Sequence, residues 1–568
     1  MLQTKQRWQQ AVRADWRACL ISKTKLLYFL ARIAKLGVTN STVQAVYTAW
    51  FHFLWINTMK KTLVAAGVIV ALGVVWTAGA WYTGKQLEGR LADMVSEANA
   101  QIKRNAPEAN VELLAQDYRR GLFSSQFNLQ IKPVDGSENP WLKPGQSVVL
   151  HEVVDHGPLP LAQLKSFNLM PSMASVHTEL VNNDVTKALF EIAKGESPFT
   201  ADTRIGYSGD TRSDISLRPL NSEKDGETVA FSGGEFRLTA DKDGNAISLS
   251  GSAESGLVNA VNEYGQKVQL SFNNLKTDGS SELASFEERV GSQKLSLDKL
   301  AIAIENKEMA VLDGMNINAK SDVAADKKTI NSQLDYTLNS LKVQGQDLGS
   351  GNLTLKVGQI DGQAWHQFSQ QYNAQTRALM AQPDVMQNPE LYQQKATEAF
   401  LSAVPLLLKG EPVITIAPLS WKNAKGETTF NLSLFLKDPA SVTAAPQTLA
   451  EEVDRNVKSL DSKLTIPVDM ATEFMTQVAK LEGYQQEDAA KLANQQVKGL
   501  AAMGQMFRIT TLENNTILAS LQYANGQVTL NGEKMPLEQF VGMFGLPSLQ
   551  QQEQPDETPP LTPAVPQQ

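Results

Sequence analysis

The uncharged apolar run at residues 62–84 constrains the architecture of the chain more than any other feature. It reads TLVAAGVIVALGVVWTAGAWYTG and follows directly on Lys60 and Lys61. As a helix it would be about 34 Å long at 1.5 Å per residue, which is enough to cross the hydrocarbon core of a bilayer. The sequence therefore predicts a single transmembrane helix, whose apolar core includes Leu63 and Val70.

Two interpretations of this segment remain open. Basic residues before an apolar run also begin a secretory signal, and cleavage could follow the small residues that end at Ala80. However, the run is longer than the roughly 7 to 15 residues of a signal-peptide core. In addition, Trp76, Trp81 and Tyr82 stand where an aromatic belt anchors a spanning helix. We therefore favour an uncleaved signal anchor over residues 59–84.

The charges before the anchor predict its orientation. Residues 1–58 contain eight lysines and arginines and one acidic residue, Asp15. The positive-inside rule then places the N-terminus in the cytoplasm and the large C-terminal part on the other side of the membrane. Residues 1–58 are also rich in aromatic residues and have two interpretations. Either they lie on the membrane surface, or translation begins at Met59 and they belong to no folded domain; we favour the second.

Composition argues against several classes of function. The formal net charge is −8 although residues 1–58 are basic, so the exported body is acidic and is not expected to bind nucleic acid. The single cysteine, Cys19, precedes the anchor, which leaves the body without disulfides, cysteine metal sites or a thiol nucleophile. We find no cofactor-binding motif and expect no cofactor.

The periodicity of apolar residues divides the body into parts. Residues 85–108 have a helical stripe, which predicts either a helix that packs on the domain or a stalk; we favour packing. Residues 109–361 alternate between apolar and polar, as in half-buried antiparallel strands. We predict turns between these strands at Asp241–Asn245, Asp278-Gly279, Asp313-Gly314 and Gly349–Gly351.

Helices are predicted to return after this region. Residues 362–506 form a helix-rich α+β part, with predicted helices at Gly362–Leu379, Pro389–Leu408, Pro439–Leu460 and Val468–Met506. Residues 507–549 are predicted to form a closing β-hairpin and a short helix, and residues 550–568 form a disordered tail rich in Pro and Gln. The predicted fold class is mainly β, with a C-terminal α+β part, after one transmembrane helix and a long antiparallel meander.

One segment imitates a catalytic motif. His151 and His156 enclose a sequence that resembles HExxH with one residue too many. In that motif the two histidines share a helical face, but the valines here predict a strand, on which the two histidines point to opposite faces. A zinc site completed by His177 is the weaker interpretation. We assign no catalytic or metal-binding residue, and an enzyme is the weaker hypothesis.

Four short segments carry a resemblance to a known family: Met59-Lys60-Lys61 with the span behind it, Tyr118–Ser125 (YRRGLFSS), Asp155–Pro160 (DHGPLP) and Asn531-Gly532. From Met59 to about Leu549 the chain resembles the YdgA-like family of bacterial proteins. The resemblance implies an inner-membrane anchor, a β-rich body in the periplasm and an unassigned function. It supplies no catalytic residue. Residues 338–357 are also similar to the strand repeats of AsmA-like envelope proteins, whose curved sheets form an apolar groove for lipids.

The motif residues of this resemblance are Tyr118, Gly121, Ser125, His156, Gly157 and Pro158. A functional interpretation makes His156 a ligand or proton donor on an exposed loop. In the structural interpretation, which we favour, Gly157 adopts unusual dihedral angles, Pro158 ends a strand and His156 hydrogen-bonds the turn.

Three functions remain open. The first is an envelope protein whose β-rich body binds lipid or another apolar component. The second is a scaffold that binds envelope proteins or another copy of itself. The third, which we rank last, is a hydrolase of envelope polymers.

Overall fold

The computed structural model describes residues 77–543, apart from 101, 104–108, 137–141, 166, 225, 263–264, 381, 387 and 442–445. Most of the predicted anchor, including Leu63, Val70 and Trp76, lies outside the described residues, as do residues 1–58 and the C-terminal tail. Among the described residues, no helix combines the length and the apolar character needed to span a bilayer. The chain divides into two compact units, and the fold below is that of the unit from Ala80 onward.

The first part of this unit combines a helix with short strands. The helix, α1, covers residues 77–100. The strands are β1 (Val111–Arg120), β2 (Ser124–Pro133), β3 (Val148–His156), β4 (Ala174–Leu180), β5 (Phe199–Ile205), β6 (Thr211–Leu217), β7 (Leu220–Lys224), β8 (Glu227–Phe231) and β9 (Gly234–Ala240). Two short helices, α2 (Leu161–Lys165) and α3 (Lys187–Ile192), interrupt them.

Helix α1 packs on the first strands instead of standing apart as a stalk. Its Leu87 and Leu91 contact a core formed by Phe127, Val154 and Ala174. This apolar stripe accounts for the helical periodicity in the sequence. Further along α1, the Asn99 side chain pairs with both backbone groups of Leu113 in β1, at 2.7 and 2.9 Å.

Six long strands form the middle of the sheet: β10 (Ala246–Val261), β11 (Lys267–Leu283), β12 (Arg289–Ile304), β13 (Lys307–Val323), β14 (Thr329–Val343) and β15 (Gln346–Asp361). The turn prediction was wrong at Asp278-Gly279, Asp313-Gly314 and Gly349–Gly351, which lie inside β11, β13 and β15. Gly314 (φ +62°) and Gly349 (φ +107°) adopt the left-handed region within their strands.

Two of the connections between these long strands are two-residue loops that the sequence analysis missed. They are Glu305-Asn306 and Gln344-Gly345, and all four residues have positive φ angles. This is the geometry of a type I′ turn, whose twist matches that of the flanking strands. Three of the four residues are not glycine, so the usual composition signal for such a turn is weak.

The C-terminal part mixes helices with the end of the sheet. Its helices are α4 (Gly362–Met380), α5 (Pro383–Met386), α6 (Pro389–Leu408), α7 (Leu449–Asn456), α8 (Val468–Leu481), α9 (Gln486–Met506) and α10 (Leu537–Gly542). Its strands are β16 (Val413–Asn423), β17 (Gly426–Leu436), β18 (Val457–Pro467), β19 (Thr511–Glu513), β20 (Thr516–Ala524), β21 (Gln527–Leu530) and β22 (Glu533–Pro536).

All 22 strands of the described residues belong to one antiparallel sheet. Sequence neighbours pair from β1 to β6, from β9 to β18 and from β20 to β22. Two pairings, β6 with β9 and β18 with β20, make the sheet continuous. Helices α8 and α9 pack on one face of the sheet near its C-terminal end. The predicted class, mainly β with C-terminal helices, is confirmed.

Candidate functional site

The family-motif residues meet at the end of β3. Because β2 and β3 run antiparallel, Ser125 near the start of β2 comes beside His156 at the end of β3. The Oγ atom of Ser125 lies 2.9 Å from Nε2 of His156 and 3.0 Å from the hydroxyl oxygen of Tyr118. Ser125 and His156 are each only 1% exposed. The three residues therefore form a buried chain of hydrogen bonds.

Helix α1 covers this chain from above. A methyl group on Gly84 would lie 2.3 Å from Cε1 of His156, so the backbone of α1 rests directly on the imidazole ring. Burial lowers the pKa of His156, while the nearby backbone carbonyl of Leu122 raises it by less. Nδ1 has no hydrogen-bond partner in good geometry. His156 is therefore held neutral under a helix and does not lie on an exposed loop.

Gly157 and Pro158 follow His156, and their backbone packs closely against that of Ser172 and Met173. The N–H of Gly157 donates to the carbonyl of Met173, and the N–H of Ser172 donates to the carbonyl of Pro158, at 2.7 and 3.0 Å. A Cβ on Gly157 would lie 2.1 Å from the Ser172 carbonyl oxygen. The φ angle of Gly157 is not positive. Close approach of two backbones is the reason for this glycine.

Gly121 serves the neighbouring turn between β1 and β2. Its N–H donates to the carbonyl of Ser124 at 2.7 Å, and an added Cβ would lie 2.9 Å from the same oxygen. All six motif residues thus lie around one end of the first strands. The structure brings them together in packing and hydrogen-bonding roles.

The Ser125 and His156 pair resembles a nucleophile and its base, but its surroundings do not suit catalysis. A nucleophile must reach a substrate, and the Ser125 side chain is buried under α1. The adjacent carboxylate, Asp155, accepts the N–H of Ala162 at 2.7 Å at the start of α2 and does not orient the imidazole. The pair therefore links β2 to β3 beneath α1.

The other two histidines of the zinc hypothesis lie apart from His156. His151 is hydrogen-bonded to Asn128 at 3.0 Å, and strand alternation places it on the opposite face from His156. His177 lies between Asp202 and Glu179, at 2.7 and 3.1 Å, in an exposed cluster. Within the described residues, no group of three or more His, Cys, Asp or Glu side chains is arranged to hold a metal ion.

A large apolar cavity that is open to solvent lies at the other end of the sheet, between the sheet and helices α8 and α9. Its volume is about 850 Å³. The lining comes from the sheet and from both helices: Leu341, Leu348, Leu419, Ser420, Trp421, Thr428, Phe430, Leu464, Ile466, Met470, Ala471, Phe474, Met475, Val497, Leu500, Thr510 and Ile517. None of these lining residues is charged. A volume of this size is typical of cavities that hold small molecules.

Few polar groups face this cavity. The indole N–H of Trp421 donates to the carbonyl of Leu348 at 2.6 Å and is thereby satisfied. The hydroxyls of Ser420 and Thr510 are buried and have no partner in the described part of the chain. A buried hydroxyl without a partner carries a desolvation cost, which a bound hydrogen-bonding group would remove.

The lining of the cavity continues along the same face of the long strands. Register joins Leu295, Ile317, Tyr336 and Leu353 in one row that leads to Leu419, Phe430 and Leu464 of the cavity wall. A second, open groove of about 550 Å³ lies on this face and is lined in part by Leu334, Leu355 and Val357. The cavity and this groove are therefore two parts of one longer apolar surface.

Sequence reasoning found parts of this site without recognising it. The stripe of Met470, Phe474 and Val478 predicted a helix, and the structure places Met470 and Phe474 in the cavity wall. Trp421 was missed, although it packs edge-on against Phe474 with 6.4 Å between ring centroids. The available signal was the alternation of Leu419 and Trp421 in a strand.

Comparison with known proteins identifies relatives without an assigned role. Residues 59–538 match a family described as "Bacterial protein of unknown function (DUF945)". Protein YdgA of Escherichia coli (strain K12) is 70% identical over 90% of this chain and all of its own length. The uncharacterized protein YihF of the same strain is 32% identical over 85% of this chain and 98% of its own length. No solved structure matches the chain.

Proposed function

Since the chain belongs to the DUF945 family of bacterial proteins, whose function is unknown, we propose that it is a membrane-anchored envelope protein that binds the apolar part of a lipid-like molecule. In this proposal, residues 59–84 anchor the chain in the inner membrane with the N-terminus in the cytoplasm. The body then lies in the periplasm. Its role is to bind and hold a ligand, with no catalytic step.

The cavity under α8 and α9 is the observation that carries this proposal. A cavity lined by leucines, methionines and aromatic rings excludes charged groups, because burying an unpaired charge is very costly. An acyl or isoprenoid chain has no such cost and would bury apolar area on both sides. The unpartnered hydroxyls of Ser420 and Thr510 suit a single neutral polar group, such as an ester carbonyl.

The open face of the long strands supports the same proposal. A chain longer than the cavity can continue along the row of Tyr336 and Leu353 to the groove beside Leu355 and Val357. Arg289 and Lys320 also line this groove, where they can meet a charged headgroup that stays in water. The apolar surface thus accommodates a long tail, and its polar end suits the headgroup.

The test is native mass spectrometry of the full chain, purified gently from membranes, with lipid extraction of the same sample. Ala471 lines the cavity, so Ala471→Trp should fill it and abolish the bound lipid. Ala502→Trp is the matched control, because Ala502 is exposed on α9. The control protein should keep its lipid. Equal lipid content in both folded variants, or none in the wild-type protein, would sink the proposal.

The same experiment separates the two other functions. A body that carries no lipid but retains a stable protein partner, or a second copy of itself, would make the chain a scaffold. A hydrolase would need two convergent carboxylates or a histidine cluster beside a cleft. The apolar lining of the cavity does not favour that chemistry.

A further inference from the structure

An exposed apolar surface lies at the end of the sheet where α1 meets β3. It consists of Trp81, Tyr82, Leu122, Phe167, Leu169 and Met170, which we call the apolar end. Phe167 is 91% exposed, Leu169 70% and Met170 58%, and Phe167 is the most exposed large apolar side chain of the described residues. Exposed apolar clusters of this kind are typical of interaction surfaces.

Contacts in the fold place these residues at one end. Gly84 of α1 rests on His156, and the following Gly157 is hydrogen-bonded to Met173, just after the loop that carries Phe167, Leu169 and Met170. Leu122 lies in the turn between β1 and β2, beside the start of β2. At the far end of the same helix, Asn99 is paired with Leu113 instead. The apolar end is therefore the end at which α1 enters the body.

Basic side chains flank the apolar end. Lys85, Arg119 and Lys165 are exposed, and Lys85 lies over the Trp81 ring with its Nζ 5.4 Å from the centroid. The Arg204 side chain donates to the carbonyl of Pro171 in the loop, at 3.2 Å. Apolar residues with Trp and Tyr beside lysine and arginine are the composition of surfaces that enter an anionic lipid interface.

We propose that the apolar end docks on the bilayer in which the chain is anchored, with Phe167, Leu169 and Met170 inserted at the boundary between the lipid headgroups and the acyl chains. The inference rests on the proposed membrane anchor. Residues 62–84 form the uncharged run, and its last residue, Gly84, packs on His156 at this end of the sheet. The anchor therefore delivers the apolar end to the membrane surface.

Docking would fix the body upright on the membrane. Two connections would then hold it: the covalent one through α1 and the inserted loop beside it. The open groove lies on β10 to β15, beyond this part of the sheet. An upright body keeps that groove clear of the bilayer surface, whereas a body on a free tether would take many orientations.

The test is fluorescence of the full chain in vesicles that contain phosphatidylglycerol, with a single environment-sensitive label. Cys19 is first replaced by Ser, so that Phe167→Cys provides the only thiol. Val134→Cys is the matched control, because Val134 is also exposed and follows β2 at the end away from Ser125. Lipids brominated in their tails quench only a label that lies in the bilayer.

The expected result is a blue-shifted label at position 167 that brominated lipid quenches, and an unshifted, unquenched label at position 134. Carbonate extraction of the same vesicles reports separately on the anchor. An anchored chain whose position 167 stays in water overturns docking alone, whereas a chain that carbonate removes overturns the anchor as well. A blue shift that grows with protein density but is insensitive to bromine identifies a second copy as the occupant and overturns the proposal.

Discussion

The imidazole of His156 is held between Ser125 Oγ, 2.9 Å from its Nε2 atom, and the backbone of Gly84 in α1. One side of the ring thus has a polar contact and the other a tight steric one. Helix α1 packs on the sheet through this ring. A substitution that disrupts either contact should therefore lower the free energy of unfolding.

Replacing Ser125 removes its hydrogen bond to His156. We expect Ser125→Ala to lower the free energy of unfolding by about 1–3 kcal/mol, because it leaves buried polar atoms of His156 and Tyr118 without partners. Urea denaturation followed by circular dichroism measures the change. Gln126→Ala, at the exposed neighbouring position, should change stability by less than about 0.5 kcal/mol. Equal effects would show that the chain of hydrogen bonds contributes nothing.

The steric contact can be tested within a single helix. Gly84→Ala places a methyl group 2.3 Å from a ring that cannot retreat, so we expect a loss of about 1–3 kcal/mol. Gly89 has no atom within 4 Å of its added Cβ, and Gly89→Ala should stabilise the protein by about 0.5–1 kcal/mol through helix propensity. Thermal unfolding of both variants measures these opposite signs. A stabilised Gly84→Ala protein would contradict the packing of α1 on His156.

The lowered pKa of His156 makes stability depend on pH. The folded pKa lies below the ordinary value of 6.5, because burial disfavours the charged ring. As pH falls below 6.5 the unfolded chain takes up this proton first, so stability decreases until the folded pKa is reached. His156→Gln should reduce this loss of stability between pH 7 and the folded pKa. NMR titration of the wild-type ring, which needs no variant, should report a pKa below 6.5.

His177 provides the opposite control for this titration. Desolvation lowers its pKa, but hydrogen bonds to Asp202 and Glu179 outweigh it, and the net pKa is raised above 6.5. The stabilisation from His177 is complete below 6.5 and is lost as pH rises through the folded pKa. His177→Gln should therefore steepen the loss of stability on acidification. If both variants shift the pH profile in the same sense, the assignment of His156 is wrong.

Glu152 is a buried carboxyl group in β3, the strand that ends at His156, and burial raises its pKa above 4.5. The hydroxyl of Thr178 donates to it at 2.6 Å. Stability from the protonated form is complete below 4.5 and is lost as pH rises through the folded pKa. Glu152→Gln should therefore stabilise the protein at pH 7 by about 1 kcal/mol or more, measured by urea denaturation. Glu227→Gln, at an exposed position, should have no measurable effect.

Alternation of apolar and polar residues was sufficient to predict a long antiparallel sheet, but not the positions of its turns. A glycine beside an aspartate signals a turn in sequence, yet Gly314 bends a strand from within: its missing Cβ leaves room for the Asn339 side chain, 2.1 Å from where a methyl group would stand. The actual turn at Glu305-Asn306 lacks glycine. A glycine in the sequence indicates that the backbone can adopt a positive φ at that position. It does not indicate whether the chain reverses direction there.

Strand β18 was missed for a related reason. The sequence analysis predicted one helix over Pro439–Leu460, and Val453, Val457 and Leu460 do recur at helical spacing. The structure ends α7 at Asn456 and begins a strand at Val457, so one apolar stripe is shared by two elements around a single core. In contrast, Pro389–Leu408 was confirmed to the residue, because Asn388 caps it and Pro389 suits a helix start.

The two candidate sites differ in how much of each could be predicted from the sequence. The motif residues around His156 were identified, but the contact with Gly84 joins positions far apart in the chain and has no local signal. The cavity depends on how far α8 and α9 stand from the sheet, which periodicity cannot report. Met470 and Phe474 were therefore predicted as packing residues, and only the fold reveals the space between them.

The order of strand pairing has a further consequence for how this family can vary. From β10 to β18 each strand pairs with the next strand in sequence, and no other strand comes between the two. A hairpin can therefore be gained or lost in this region without rerouting the rest of the chain, much as repeat proteins change length by whole units. The length of the apolar surface across the sheet can therefore change in evolution by two strands at a time.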